Sequence, residues 1–159
     1  MTTTERALGI EPAPQIERAL ETDRSAIERL LTDAGLPLDG LEAALPTAVI
    51  ARAEDGIAGC AAVETYGSTG LLRSVCVAPS FRGGGLGRKL VAAAERLAEE
   101  MGASEIYLLT ESAAAWFPLL GYAAATRASV PATLAASPEF ASACPQSAVL
   151  LHKLLHPTA

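Results

Sequence analysis

A glycine-rich loop between a predicted strand and a predicted helix carries the clearest chemical signal in this sequence. The loop reads Arg82-Gly83-Gly84-Gly85-Leu86-Gly87 and follows the apolar stretch 71–77. Glycines let the backbone approach a bulky ligand, and the first turn of a helix leaves N–H groups without intrahelical partners. Arg88 and Lys89 add positive charge at the positive end of the helix dipole, where a bound anion would offset it. The pattern therefore predicts a phosphate-binding loop.

Two common phosphate loops do not fit these residues. A Walker A loop ends in Gly-Lys-Ser/Thr, whereas this one continues as Gly87-Arg88-Lys89-Leu90, with no hydroxyl for a metal ion. The dinucleotide fingerprint needs a third small residue where Leu90 stands, and an acid that ends the next strand, whereas Glu105 begins it. The plainer alternative is a glycine-rich turn with solvated basic residues, but the flanking strand and helix favour an anion site.

One known pattern does fit. Arg82, Gly85 and Gly87 match Arg/Gln-x-x-Gly-x-Gly/Ala, and Val75-Cys76-Val77-Ala78-Pro79 precedes them on a predicted strand. This resembles motif A of the GNAT superfamily of acyl-CoA-dependent N-acyltransferases. Further along, residues 86–101 resemble the central helix of the family, 106–110 its fifth strand and 116–122 its F-Y-x-x-x-G-F/Y segment.

The resemblance implies that acetyl-CoA is the co-substrate and a small-molecule amine the acceptor. Backbone groups of Val75 and Val77 would pair with the pantetheine arm, and amides from Arg82 to Arg88 would bind the pyrophosphate. The residues predicted to contact the cofactor are Val75, Cys76, Val77, Arg82, Gly83, Gly84, Gly85, Leu86, Gly87, Arg88, Ser112 and Phe117.

Transfer to an amine needs a neutral nucleophile, a stabilised oxyanion and a proton for the departing thiolate. The family often supplies that proton from a tyrosine, but the matching position here is Phe117, which cannot donate. Tyr66, Tyr107 and Tyr122 are alternatives that would otherwise be core or rim aromatics. Of these, Tyr66 is predicted to be catalytic.

Candidate groups for handling the acceptor lie on the predicted third and fourth strands. Glu64 is the predicted general base, with Glu111 as the other nearby acid. Strand alternation places Arg73 on the same face as Val75 and Val77, where a guanidinium could clamp a carboxylate or similar oxyanion of the acceptor. The alternative for Arg73 is a salt bridge to a neighbouring glutamate.

Composition limits the function classes. With 159 residues, of which 50% are hydrophobic and 19% charged, the chain is predicted to form a single domain over 1–159 with flexible residues 1–13. A net charge of −6 argues against nucleic acid or an anionic membrane as partner, and no secretory signal or membrane span is visible. The three cysteines are odd in number, which favours a cytoplasmic location. The sequence does not decide between a monomer and a homodimer.

Hydrophobic periodicity and turn signals predict the strands and helices of the chain. The predicted fold class is α/β in the mixed α+β sense, with a central, mostly antiparallel sheet flanked by helices, and the resemblance implies a splay between strands 4 and 5. His152 and His156 are four residues apart, but no further ligands support a metal site, so none is predicted. Ser112 is expected to cap a helix that Gly121 ends. Strands are predicted at 15–20, 48–51, 57–66, 71–77, 106–109 and 147–154, and helices at 23–34, 40–44 and 86–101.

A narrower resemblance comes from the second half of the chain. Leu108-Leu109-Thr110-Glu111, Trp116-Phe117, Val130-Pro131, Glu139-Phe140 and Cys144-Pro145-Gln146-Ser147-Ala148 together look like the small acetyltransferases encoded with arsenic-resistance operons. This implies a role in resistance to arsenic or other toxic compounds. Two alternatives remain, an acyl-CoA-binding module without turnover and an arsenic-binding protein that uses Cys60, Cys76 and Cys144, although the spacing of these cysteines does not support the second.

Overall fold

The computed structural model describes residues 13–140 and 147–155, and in these ranges seven strands form one sheet. Their order is β1-β2-β3-β4-β5-β7-β6, and every neighbouring pair is antiparallel except β4 and β5, which are parallel. The predicted mixed fold is confirmed. The strands are β1 (Gln15–Arg18), β2 (Ala48–Ala53), β3 (Gly56–Tyr66), β4 (Thr69–Val77), β5 (Glu105–Thr110), β6 (Ala123–Ala124) and β7 (Val149–Leu154).

Helices cover both faces of the sheet. The α-helices are α1 (Arg24–Asp33), α2 (Leu41–Ala44), α3 (Leu86–Glu100) and α4 (Ala132–Ala135). The predicted helix capped by Ser112 is wrong, because residues 111–116 form bends and turns and only a 3₁₀ turn follows, Phe117–Leu120. Pro118 lacks an N–H and so cannot support a longer helix there. Gly121 ends this turn with φ +98°, as predicted.

Helix α3 packs its apolar face on the sheet. Leu90, Val91 and Ala94 are almost fully buried in the larger core cluster. The helix can approach β3 closely because Gly59 has no side chain; a Cβ there would lie 2.8 Å from Leu90 Cδ1. It ends as predicted at Gly102, whose φ is +96° and whose N–H donates to Glu99. The start and end of α3 are therefore both set by glycines.

The opposite face of the sheet is covered by α1 and α2. Ile27 and Leu31 of α1 and Leu41 of α2 pack with Ile50 of β2 in a second cluster. Cys60 and Cys76 also belong to this second cluster. The central strands are therefore buried on both faces, as expected for apolar strands between two helical layers.

The sheet opens between β4 and β5. These strands pair only at Thr69↔Glu105, Gly70↔Ile106 and Leu71↔Tyr107, although β4 continues to Val77 and β5 to Thr110. The paired end is held by the Glu105 carboxylate, which accepts from Thr69 Oγ1 at 3.0 Å and contacts His152 Nε2 at 2.9 Å. Beyond it the two strands diverge into a wedge-shaped opening.

One residue of β4 is inserted relative to β3. Cys60 pairs with Cys76 whereas Ala62 pairs with Arg73, and within the described residues Ser74 is the non-glycine with positive φ, +57°. The predicted common face of Arg73, Val75 and Val77 is therefore wrong. Val75 and Val77 pack toward the α3 cluster, whereas Arg73 reaches Asp39 and Glu64 on the other side.

Candidate active site

The glycine loop has the conformation that an anion site needs. Gly83 and Gly85 have φ values of +88° and +82°, which L side chains adopt only with strain. Gly85 is the N-cap of α3, so the first-turn N–H groups begin directly after it. Cβ atoms built on Gly83, Gly84 or Gly85 would meet nothing within 4 Å. The space over the loop is open.

Basic side chains frame this loop. Arg82 is exposed, and its Nε donates to the Val77 carbonyl at 3.0 Å, which holds the guanidinium against the end of β4. Arg88 is exposed on the first turn of α3. Together they place positive charge where polyphosphate oxygens would approach the helix N-terminus.

Two cavities of about 560 Å³ each meet at the opening between β4 and β5. We call the first the loop cavity, which is lined by residues 75–77 of β4, by residues 81–83 and 85–88, and by Ala113, Trp116 and Phe117. The second, the wedge cavity, is lined by residues 34–37, 72–77, Arg82, 108–113, Phe117 and Glu139. The shared residues are Val75, Cys76, Val77, Arg82, Ala113 and Phe117.

The predicted cofactor contacts cluster at the loop cavity and its edge. Ser112 lines the wedge cavity instead, and Gly84 lies in the loop itself. Trp116 forms a further wall that sequence reasoning missed; it packs against Gly87, where a Cβ would lie 3.2 Å from the indole ring. The predicted cofactor residues that line the loop cavity are Val75, Cys76, Val77, Arg82, Gly83, Gly85, Leu86, Gly87, Arg88 and Phe117.

Phe117 stands at the junction of the two cavities. It is buried, with edge-on ring contacts to Trp116 at 4.8 Å and Tyr122 at 5.6 Å. The Tyr122 hydroxyl donates to Glu95 Oε2 at 2.8 Å, and burial, with Glu95 nearby, raises the pKa of this phenol. Tyr107 donates to the Ser129 carbonyl. None of the chain's three tyrosines, all within the described ranges, lines either cavity.

Glu64, Tyr66 and Arg73 form one hydrogen-bonded network beside the wedge cavity, with Arg73 buried and the other two half-buried. Glu64 accepts from the Tyr66 hydroxyl at 2.9 Å and from Arg73 Nη1 at 3.2 Å. Burial, with the adjacent Glu64 carboxylate, raises the pKa of Tyr66 to about 12. Arg73 also donates to the Asp39 carbonyl and to Ser74 Oγ. The salt bridge that was the alternative for Arg73 is therefore present.

The position of these three residues relative to the wedge cavity matters for the catalytic and acceptor-binding roles predicted for them. Arg73 lines the wedge cavity although its side chain has 0% exposed surface, whereas neither Glu64 nor Tyr66 lines it. Gly40, with φ +77°, packs against the guanidinium, because a Cβ there would lie 2.7 Å from Nη1. The roles of Glu64 and Tyr66 in catalysis and of Arg73 in acceptor binding stay predictions.

Several wedge residues were not singled out from the sequence. Leu36 and Pro37 line one side, and their only sequence signal was the end of a helical pattern. Glu139 lines the cavity from a segment distant in sequence and is 4% exposed. Glu111, the second predicted acid, is exposed at the end of β5 and lines the same cavity.

The described residues contain neither a metal-binding cluster nor a membrane-spanning helix. No group of three or more His, Cys, Asp and Glu side chains in the described ranges could hold a metal ion. No helix there combines the length and apolar composition that a membrane crossing requires. Cys60 and Cys76 are free thiols, while Cys144 and His156 lie outside the described residues.

Comparison with known proteins agrees with this geometry. A family model described as an acetyltransferase (GNAT) domain matches residues 46–124, which contain the sheet opening, the glycine loop and α3. Residues 46–124 are therefore similar to a GNAT acetyltransferase domain. A Bacillus subtilis protein named as an acetyltransferase is 39% identical over 69 residues, or 43% of this chain and 47% of that protein. The chain spans between 24% and 47% of the curated relatives it matches.

Solved structures show the same GNAT fold. N-acetylglutamate synthase from Neisseria gonorrhoeae, complexed with coenzyme A and N-acetyl-glutamate, superposes with a TM-score of 0.78 at 24% identity, over 92% of this chain and 36% of that one. A Mycobacterium tuberculosis protein in complex with CoA superposes with a TM-score of 0.75 at 20% identity, over 90% of this chain and all of that one.

Proposed function

We propose that this chain is an acetyl-CoA-dependent N-acetyltransferase that acts on the amine of a small molecule. The observation that carries the proposal is the meeting of the loop cavity and the wedge cavity at the opening between β4 and β5. Acetyl-CoA would lie with its pyrophosphate on the glycine loop and its pantetheine arm along Val75 and Val77. Its thioester would then face an acceptor in the wedge cavity. Two structures with this fold hold coenzyme A, which supports acetyl-CoA as the co-substrate.

The reaction proceeds by direct attack. The neutral amine nitrogen bonds to the thioester carbonyl carbon, the C–S bond breaks, and the sulfur leaves as a thiolate. A thiol has a pKa of about 8.5, so the leaving thiolate can take its proton from water near neutral pH. Water can therefore take the place of a tyrosine acid where Phe117 stands at the usual tyrosine position.

The amine must lose a proton before or during attack. Of the carboxylates that line the wedge cavity, Glu111 is the exposed one, and the proposal assigns it the task of accepting this proton directly or through water. Glu64 holds Arg73 behind the wall and supports the cavity from there. Contact between Arg73 and an oxyanion on the acceptor would require the wall to open.

The test begins with acetyl-CoA binding by titration calorimetry. Thiol release is then measured in the same sample against the twenty protein amino acids, polyamines and amine-bearing arsenicals, with product mass confirming N-acetylation. Binding followed by thiol release with at least one amine is expected. Absence of acetyl-CoA binding would refute the cofactor assignment, and binding without release would refute the enzyme assignment.

A second candidate function is an acyl-CoA-binding module without turnover. The observation that favours it is the absence of a tyrosine hydroxyl from both cavities. Binding without thiol release across the whole panel would support this candidate. The two candidates share every feature of the loop cavity, so binding alone does not separate them.

The resistance role and the location stay predictions as well. Thr110, Glu111 and Phe117, which belong to the segments that resemble arsenic-operon acetyltransferases, line the wedge cavity, where they would select the acceptor. Turnover confined to amine-bearing arsenicals would support that role. A cytoplasmic location is consistent with the free thiols of Cys60 and Cys76.

A further inference from the structure

Glu139 is a buried carboxylate in the wall of the wedge cavity. It lines this cavity but not the loop cavity, and the residue is 4% exposed. Its segment follows α4 and packs near the start of α2, because a Cβ built on Gly40 would lie 3.7 Å from Pro138 Cβ and 2.7 Å from Arg73 Nη1. Glu139 therefore lies at the Arg73 end of the wedge cavity, away from the glycine loop.

The guanidinium of Arg73 is engaged within the protein. Its Nε donates to Ser74 Oγ at 3.3 Å, its Nη1 to Glu64 Oε2 at 3.2 Å, and its Nη2 to the Asp39 carbonyl. The ion pair with Glu64 balances the charge of this buried side chain. Glu139 therefore brings a second carboxylate to an end of the cavity where the guanidinium is already neutralised.

Most of the other residues around the wedge cavity are apolar. The larger aliphatic ones are Leu36, Pro37, Leu72, Leu108 and Leu109. Val75 lies at the junction with the loop cavity, where the thioester would be, and it follows Arg73 by two residues, which in an extended strand is about 7 Å. A short carbon chain in the wedge can therefore reach the thioester with one end and Glu139 with the other.

We propose that Glu139 is an acceptor-binding residue, and that the acceptor is an amine whose short apolar chain carries a second, cationic group. The inference rests on the proposed function, because it places the thioester at the junction of the two cavities. One amine is acetylated there, while the cationic group donates to the Glu139 carboxylate. A carboxylate has about four acceptor sites, so it can bind the acceptor in addition to any contact within the protein.

The charge of Glu139 also disfavours an acceptor with an anionic group at the same end. Like charges repel, and the repulsion is stronger in a partly buried site than in water. To contact Arg73, such a group would also have to compete with the Glu64 carboxylate. The sign of the charge on the acceptor therefore separates binding by Glu139 from the predicted binding of an oxyanion by Arg73.

Three acceptors of matched length test this preference in the wild-type protein. Cadaverine, pentylamine and 5-aminopentanoate each have a reacting amine on the same carbon chain, and the opposite end is cationic, apolar or anionic. The kcat/KM from thiol release, corrected for the two equivalent amines of cadaverine, should be about 10- to 100-fold higher for cadaverine than for pentylamine. It should be lowest for 5-aminopentanoate. Equal values for cadaverine and pentylamine, or the highest value for 5-aminopentanoate, would overturn the proposal.

Glu139→Gln removes the charge and keeps the shape of the side chain. It should lower kcat/KM for cadaverine about 10- to 100-fold, mainly through a higher KM, because the contact exists before as well as during the reaction. The value for pentylamine should change less than about twofold. The control is Glu100→Gln, which removes the same charge from an exposed position of α3 and should leave all three acceptors unaffected. An equal loss for cadaverine and pentylamine would show that Glu139 only supports the cavity wall and would overturn the proposal.

Binding measurements separate this inference from the proposed function. Titration calorimetry of cadaverine and of pentylamine into the protein saturated with coenzyme A measures acceptor binding without turnover. Cadaverine should bind more tightly than pentylamine to the wild-type protein, and Glu139→Gln should remove the difference. If no amine is acetylated, the proposed function fails while this difference in affinity still tests Glu139. If amines are acetylated and the two affinities are equal, only the role of Glu139 fails.

Discussion

Replacing Gly85 with glutamate would place a negative charge in the open space over the loop. Gly85 is the N-cap of α3, and no atom lies within 4 Å of a Cβ built there, so the side chain is accommodated sterically. Its φ of +82° costs about 1–2 kcal/mol for any residue with a Cβ, but this cost applies to the free and bound protein alike. It lowers the stability of the fold, not the affinity.

The loss of affinity comes from repulsion of the pyrophosphate. Two like charges about 5 Å apart repel by roughly 3 kcal/mol at an effective dielectric constant of about 20. Such a penalty weakens binding by roughly two powers of ten. Gly85→Gln is the matched control, because it has the same shape and backbone cost without the charge. We therefore expect the dissociation constant for acetyl-CoA to differ about 100-fold between the two variants.

Calorimetry at two ionic strengths would check this reasoning. Salt screens part of the repulsion, so the ratio of the dissociation constants of the glutamate and glutamine variants should fall between about 50 mM and about 500 mM salt. S-acetylpantetheine has no pyrophosphate and should bind both variants equally. Equal acetyl-CoA affinities for the two variants would refute the assignment of the loop, and a gap that persists with S-acetylpantetheine would refute the electrostatic explanation.

Two further predictions concern stability and are checked by urea unfolding. Burial works against ionisation of Asp23, but hydrogen bonds from Arg52 and a backbone N–H prevail and hold the Asp23 pKa below its usual 3.8. Asp23→Asn should therefore lower the unfolding free energy by about 1–2 kcal/mol at pH 7. The difference in unfolding free energy between wild type and variant should disappear as pH falls below 3.8, and a difference that does not change with pH would contradict this. Gly59→Ala should lower the unfolding free energy by about 1–3 kcal/mol, because its Cβ would lie 2.8 Å from Leu90 Cδ1. Gly70→Ala, whose nearest contact is 3.4 Å, is the control, and equal costs would contradict the packing argument.

The parts of the fold that sequence predicted correctly are those with local causes. The apolar runs predicted most of the strands, and Asp55-Gly56 predicted the β2–β3 hairpin. The helical spacing of apolar residues predicted which face of α3 is buried. The loop at Gly83–Gly87 also has a local cause, because glycines at 83 and 85 can adopt the positive φ values of the turn into α3 without strain. The splay between β4 and β5 came from the resemblance and not from the residues themselves.

The insertion in β4 could not be predicted from the same signals. Simple alternation from Arg73 to Val77 placed both on one face, whereas a single inserted residue at Ser74 sends Arg73 to the opposite side. Nothing about serine marks it for a positive φ. The cause is non-local, since Cys60 on β3 and the buried Arg73 side chain hold it there.

The wrong face for Arg73 explains why the prediction of the acceptor site was incomplete. A buried guanidinium needs a partner, and Glu64 neutralises it behind the wall. The carboxylates Glu111 and Glu139 line the wedge cavity, Arg88 lines the loop cavity, and Arg82 lines both at their junction. Carboxylates in the wedge suit the amine of the proposed acceptor, and the arginines beside the loop suit the pyrophosphate of the proposed co-substrate. A chain of net charge −6 therefore still presents local positive charge, from Arg82 and Arg88, where the proposed polyanion would bind.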